Sequence, residues 1–88
     1  MYNPPLYEGQ WCSPGYWRQE HHLDSWAATG YSPGDLYQGT EYTLLEILQD
    51  PTTFARLGYF EAVGDLLSGA HPEVDFMGVR VEDSCPLD

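Results

Sequence analysis

Fifteen residues, Cys12-Ser-Pro-Gly-Tyr-Trp-Arg-Gln-Glu-His-His-Leu-Asp-Ser-Trp26, constrain the fold more than any other stretch of the chain. They bring together a cysteine, a helix-start signal and the large aromatic side chains of Tyr16, Trp17 and Trp26. The only other cysteine, Cys85, lies near the far end of the 88 residues. Eighty-eight residues make a single domain, and a domain this small has a marginal core unless it is stapled or assembled. The cysteine pair leaves two readings open: free thiols in a reducing compartment, or one disulfide in an oxidising one.

Ser13 is a good N-cap and Pro14 suits the first helical position, where its missing N–H costs nothing. Tyr16, Trp17, Glu20 and Leu23 follow at helical spacing, so a first helix is predicted from Ser13 to the breaker Gly30. The rest of the domain is expected to fold against Tyr16, Trp17 and Trp26. Tyr31-Ser-Pro-Gly-Asp35 reads as a turn and residues 36–41 as a loop. A second helix is predicted over Tyr42 to Gln49, begun by Thr40 or Glu41, with Leu44, Leu45, Ile47 and Leu48 as its apolar face. Asp50-Pro51 stops it and caps a third helix running to about Ser68. In that helix Phe54, Leu57, Phe60, Val63 (or Gly64) and Leu67 form an amphipathic stripe, and the small residues Gly58 and Gly64 permit close helix contact. Gly69 is the expected C-terminal cap, with Pro72 beyond it. Val74 to Val81 reads as a short extended segment.

Residues 1–11 read as an extended N-terminal arm, because Pro4-Pro5 favours polyproline-like extension. Tyr2, Leu6, Tyr7 and Trp11 are too apolar for a purely solvated tail. Either the arm lies across its own domain or it reaches onto a neighbouring chain; the second is the reading preferred, with these residues as the expected interface.

Charge narrows the partner. Fourteen acidic residues face three arginines and no lysine, for a net charge of −11. Nucleic acid needs a basic footprint and an anionic membrane repels such a chain, so neither is an expected partner. No stretch approaches the roughly 18 apolar residues of a spanning helix, and no signal peptide is legible at Met1-Tyr-Asn-Pro-Pro. A hydrophobic content of 42% argues against disorder.

Chemistry-bearing residues are few. His21, His22 and His71 sit among many carboxylates, but adjacent helical histidines point about 100° apart and no H-x-x-x-H or CxxC pair occurs, so no metal and no cofactor is expected. No D-x-D-x-D-G loop suggests calcium. Glu20 and Asp24 form an i, i+4 carboxylate pair, the ordinary pattern of a solvated helix face. Cys12 beside His21 or His22 is the least poor nucleophile, and a disulfide would remove it. The chain is expected not to be an enzyme. Tyr16, Trp17 and Trp26 are expected in the core; Tyr7 and Trp11, outside the first helix, are the better interface residues.

Beyond these local signals, Cys12-Ser-Pro-Gly-Tyr-Trp-Arg and Asp24-Ser-Trp-Ala-Ala-Thr-Gly-Tyr-Ser-Pro33 resemble a small module of bacterial secreted and surface proteins, whose pattern runs C-x-P-G-Y-W-K-x-H, then D-S-W-x-x-T-G-Y-S-P. Thr43-Leu-Leu-Glu-Ile-Leu48, Ala62-Val-Gly-Asp-Leu-Leu-Ser-Gly-Ala-His-Pro-Glu-Val-Asp-Phe76 and Ser84-Cys-Pro-Leu87 match its later parts in order. Arg18 replaces the module's lysine, the spacing to the histidine is longer and the segment after Phe76 is short. The resemblance spans about residues 11–87 and implies an extracellular scaffold with little chemistry. It also implies that Cys12 and Cys85 are bonded.

The expected fold is therefore mainly α: a small three-helix domain over residues 12–88, with an extended arm over residues 1–11 and a short extended C-terminal segment, stapled by one disulfide. The expected function is that of a non-enzymatic structural or interaction protein on an extracellular assembly. With no legible leader, a small capsid-decorating or tail-associated virion protein is the first expectation. An adhesion or ligand-binding module of a bacterial secreted or cell-surface protein is the alternative. The expected partner is a protein, in a larger assembly or a homo-oligomer.

Overall fold

Ser13 opens the first helix as its residue type suggests: its hydroxyl accepts the Tyr16 N–H, and Pro14 fills the first turn of α1 (Pro14–Trp17). In this computed structural model, which describes residues 9–87, α1 is only one turn long. The chain breaks at Arg18 and Gln19, then continues as a ten-residue 3₁₀ helix (Glu20–Thr29) that ends on left-handed Gly30. The break has a packing cause. Residues 17 and 26 in one continuous α-helix would lie on opposite faces, about 13 Å apart along the axis. Both tryptophans are instead buried together, edge to face, with ring centroids 6.2 Å apart. The Trp26 indole N–H donates to the Trp17 carbonyl at 3.0 Å. At three residues per turn, Leu23, Trp26 and Thr29 share the face turned to the core.

The remaining elements are α2 (Leu44–Gln49), α3 (Pro51–Phe54) and α4 (Tyr59–Ala70). Helix α2 begins at Thr43, later than the expected Thr40 or Glu41. Thr43 and Glu46 form a reciprocal capping box, with the Thr43 N–H on the Glu46 carboxylate and the Glu46 N–H on the Thr43 hydroxyl. Before it, a tight loop is closed by one antiparallel bridge between Leu36 and Thr43. Asp50 acts as expected, ending α2 and accepting the Thr53 N–H at the start of α3.

The predicted third helix is two. Gly58 adopts φ 79°, a left-handed conformation that glycine enters without steric cost, and it separates α3 from α4. The turn it makes changes which face looks inward. Phe54 and Val63 are buried, whereas Leu57, placed in the apolar stripe by its spacing, is 57% exposed. Gly69 is not the cap either: α4 runs through it to Ala70, and His71 ends the helix. Gly64 does provide the close contact expected of it, facing the ring of Pro14 on α1.

The fold class is as expected: mainly helical, without a strand among the described residues, and closed by a Cys12–Cys85 disulfide whose Cα atoms lie 4.6 Å apart. Helix α4 packs against every other helix. Val63, Leu67 and Ser68 give it a fully buried face, onto which Trp17, Trp26, Leu44, Ile47 and Leu48 pack. Tyr16, Trp17 and Trp26 are all in the core, but the element that touches everything is α4 rather than the stretch around Trp17. The segment 74–87 returns along the domain without regular structure, bringing Cys85 to Cys12.

The boundary at residue 11 needs correction. Gln10 donates its N–H to the Asp75 carbonyl at 2.7 Å, and its side-chain oxygen accepts the Asp75 N–H at 3.0 Å. Trp11 is 8% exposed. The folded body thus includes Gly9 to Trp11, and Trp11 packs against its own domain. An indole buries too much apolar area to stay extended when a groove of its own chain can hold it. Tyr2, Leu6 and Tyr7 lie outside the described residues.

Candidate functional site

Where the two ends of the folded body meet, they frame a groove. Trp11 enters it from the segment before α1. Its backbone N–H donates to the Ser84 hydroxyl at 2.9 Å and its indole N–H to Asp65 on α4 at 3.0 Å. Asp65 also takes a two-pronged contact from Arg80, at 2.7 and 3.0 Å. One carboxylate thereby ties the entering segment, α4 and the returning segment together. These hydrogen bonds, reinforced by the charges of Asp65 and Glu61, hold the Arg80 guanidinium above its ordinary pKa against slight desolvation.

The groove has a volume of about 520 Å³, inside the range of small-ligand and peptide clefts. Trp11, Pro14, Tyr16 and Phe60 give it an aromatic and apolar lining. Arg18, at the end of α1, contributes the one positive charge; Glu61 from α4 and Glu82 and Asp83 from the returning segment contribute three negative ones. Asp83 has φ 58°, the left-handed region that aspartate tolerates better than most residues. Cys85 of the disulfide also lines the groove.

Beneath it the cysteine bridge is locked from the protein side. Cys12 is fully buried; its N–H donates to the Ser68 hydroxyl, and its carbonyl accepts from both Ser68 and the Trp17 indole. No buried side-chain nitrogen or oxygen among the described residues lacks a hydrogen-bond partner. The bond removes Cys12 as a nucleophile, so the reading of Cys12 with a nearby histidine fails on chemistry.

The histidines have local roles. His22 stacks on the Tyr16 ring at 3.9 Å and donates its Nδ1–H to the Tyr16 carbonyl; His21 lies 4.0 Å from His22 and is exposed. His71 is buried at the end of α4, where its Nδ1 accepts the Glu73 N–H. No three His, Cys, Asp or Glu side chains gather as a metal site among the described residues. No helix there is long and apolar enough to cross a membrane.

The structure thus brings Trp11, Tyr16 and Cys85 to the wall of one groove, Tyr16 from within the core that also holds Trp17 and Trp26. Sequence reasoning missed Asp65 and Ser68, the two α4 residues that hold this region together. Their one signal is polarity at positions adjoining the apolar stripe of Val63 and Leu67. No protein-family model matches this chain, and no curated protein or solved structure does.

Proposed function

We propose that this chain is a non-enzymatic structural and interaction module that works outside the reducing cytoplasm, as part of an extracellular assembly. The observation that carries the reading is the Cys12–Cys85 bond, built into the core through the Ser68 and Trp17 contacts to Cys12. Disulfides of this structural kind persist in oxidising surroundings. The resemblance to the module of bacterial secreted and surface proteins points the same way.

Within that reading, a virion exterior is the assembly we favour, with the chain decorating a capsid or a tail. The net charge of −11 supports it, since a strongly negative coat keeps particles apart. The groove favours a second reading, an adhesion or ligand-binding module of a secreted or cell-surface protein. Fractionation of the native source, with mass spectrometry under non-reducing conditions, tests all three statements. The disulfide-bonded chain in purified particles supports the virion reading, and the same species on cell envelopes supports the second. A reduced chain confined to the cytosol overturns both.

A further inference from the structure

The groove beside the disulfide combines two features that point to one class of occupant. Its lining includes the half-buried Phe60 with Trp11 and Tyr16, which are 8% and 5% exposed, and its charge is unbalanced, three carboxylates against Arg18. Among the described residues the one ion pair is Arg80–Asp65, so Glu61, Glu82 and Asp83 form no ion pair there. Residues 1–8 hold no arginine or lysine side chain, and the whole protein has only three arginines. The groove rim is therefore left net negative among the described residues.

We propose that this groove receives a basic, extended segment of a protein partner. Its arginine or lysine side chains lie against the aromatic lining and pair with Glu61, Glu82 and Asp83. Aromatic rings attract such cations through their quadrupole, and flanking carboxylates set orientation and speed encounter. The chain's own net charge of −11 adds long-range steering toward the same partner. Nucleic acid and other polyanions are repelled by the same rim. The stretch 1–8 carries Glu8 and no basic side chain, so it is the poorer occupant. This inference rests on the reading of the chain as an interaction module and names the chemistry of its partner.

The test uses the oxidised, isotope-labelled full chain titrated with two nonapeptides, one alternating arginine with proline and one alternating glutamate with proline. Nuclear magnetic resonance follows the three indole N–H signals separately. The basic peptide is expected to shift the Trp11 indole and the Glu82 and Asp83 amides, leaving the buried Trp17 and Trp26 indoles in place. The acidic peptide is expected to shift none. E82Q/D83N should weaken binding about 5-fold or more, whereas E41Q/E73Q, exposed carboxylates outside the groove, should weaken it less than about 2-fold. Asparagine tolerates the left-handed backbone of residue 83, so the rim variant keeps its shape. Equal weakening by both pairs would assign binding to the general negative field and overturn the proposal, as would similar binding of the two peptides or shifts mapping elsewhere. None of these results bears on whether the oxidised chain is extracellular, which the fractionation decides.

Discussion

The Ser68 hydroxyl holds Cys12 by both backbone groups at once, accepting its N–H at 3.0 Å and donating to its carbonyl at 2.9 Å. A side chain on α4 thus substitutes for a neighbouring strand, satisfying a stretch of buried backbone that has no secondary structure of its own. Ser68→Ala leaves the Cys12 N–H buried without a partner, while the carbonyl keeps the Trp17 indole. The expected loss is about 1–3 kcal/mol, read from the urea midpoint at unchanged slope. A midpoint equal to the parent's would show that water or relaxation replaces the bond.

Two glycines of α4 should respond oppositely to alanine. A Cβ on Gly64 would stand 2.9 Å from the Cδ and Cγ atoms of Pro14, a rigid ring at the start of α1. Gly64→Ala is expected to destabilise by about 1–3 kcal/mol despite the better helix propensity. At Gly69 the new Cβ would meet Phe76 at an ordinary 3.6 Å, in the middle of the last helical turn. Gly69→Ala is expected to stabilise by about 0.5–1 kcal/mol. Thermal melts of the two variants side by side check the sign of each.

Removing the bridge is the severest change. The cysteines are separated by 73 residues, and closing a loop of that size stabilises by roughly 4 kcal/mol in the chain-entropy model. Cys12→Ala with Cys85→Ala should lower the midpoint on the order of 20 °C. Because Cys12 is also held through its backbone, the helical circular dichroism at low temperature should survive while segment 76–87 exchanges its amides faster. Protection of that segment equal to the parent's would mean that Asp65 and Ser84 suffice to hold it.

Asp65 serves two neighbours that substitution can separate. Asp65→Asn keeps an oxygen for the Trp11 indole but gives up the charge that Arg80 pairs with. That ion pair is partly exposed, so the expected cost is only about 0.5 kcal/mol and fades in high salt. Asp65→Ala also strands the indole N–H and should cost about 1 kcal/mol more, independent of salt. Urea midpoints at low and high salt resolve the two contributions.

How much of this was readable beforehand depends on how far each cause lies along the chain. Ser13-Pro14, Asp50-Pro51 and Gly30 act within one turn of their own backbone, and their caps stand where residue type placed them. The break after Trp17 does not, because it exists to bring Trp26 back to Trp17 and to let both meet α4. Leu57 fits a helical stripe in sequence and leaves it only because Gly58 turns left-handed. Trp11 looked like an interface side chain since nothing nearby shows that Asp65 and Ser84, more than fifty residues away in sequence, would receive it. The groove's rim was the least legible part, being assembled from α1, α4 and the returning segment.

The 4.6 Å between the Cα atoms of Cys12 and Cys85 has a mechanical consequence. A pull on the residues before Cys12 and after Cys85 meets a covalent short circuit. Tension passes through the sulfur–sulfur bond and bypasses the helices, which carry no load until that bond is cut. In a single-molecule stretching measurement the oxidised chain would lengthen by only its flanking residues, and the 73-residue loop would add its contour only under reductant. Joined to other parts through both flanks, the domain would therefore act as an inextensible link that bears shear without unfolding.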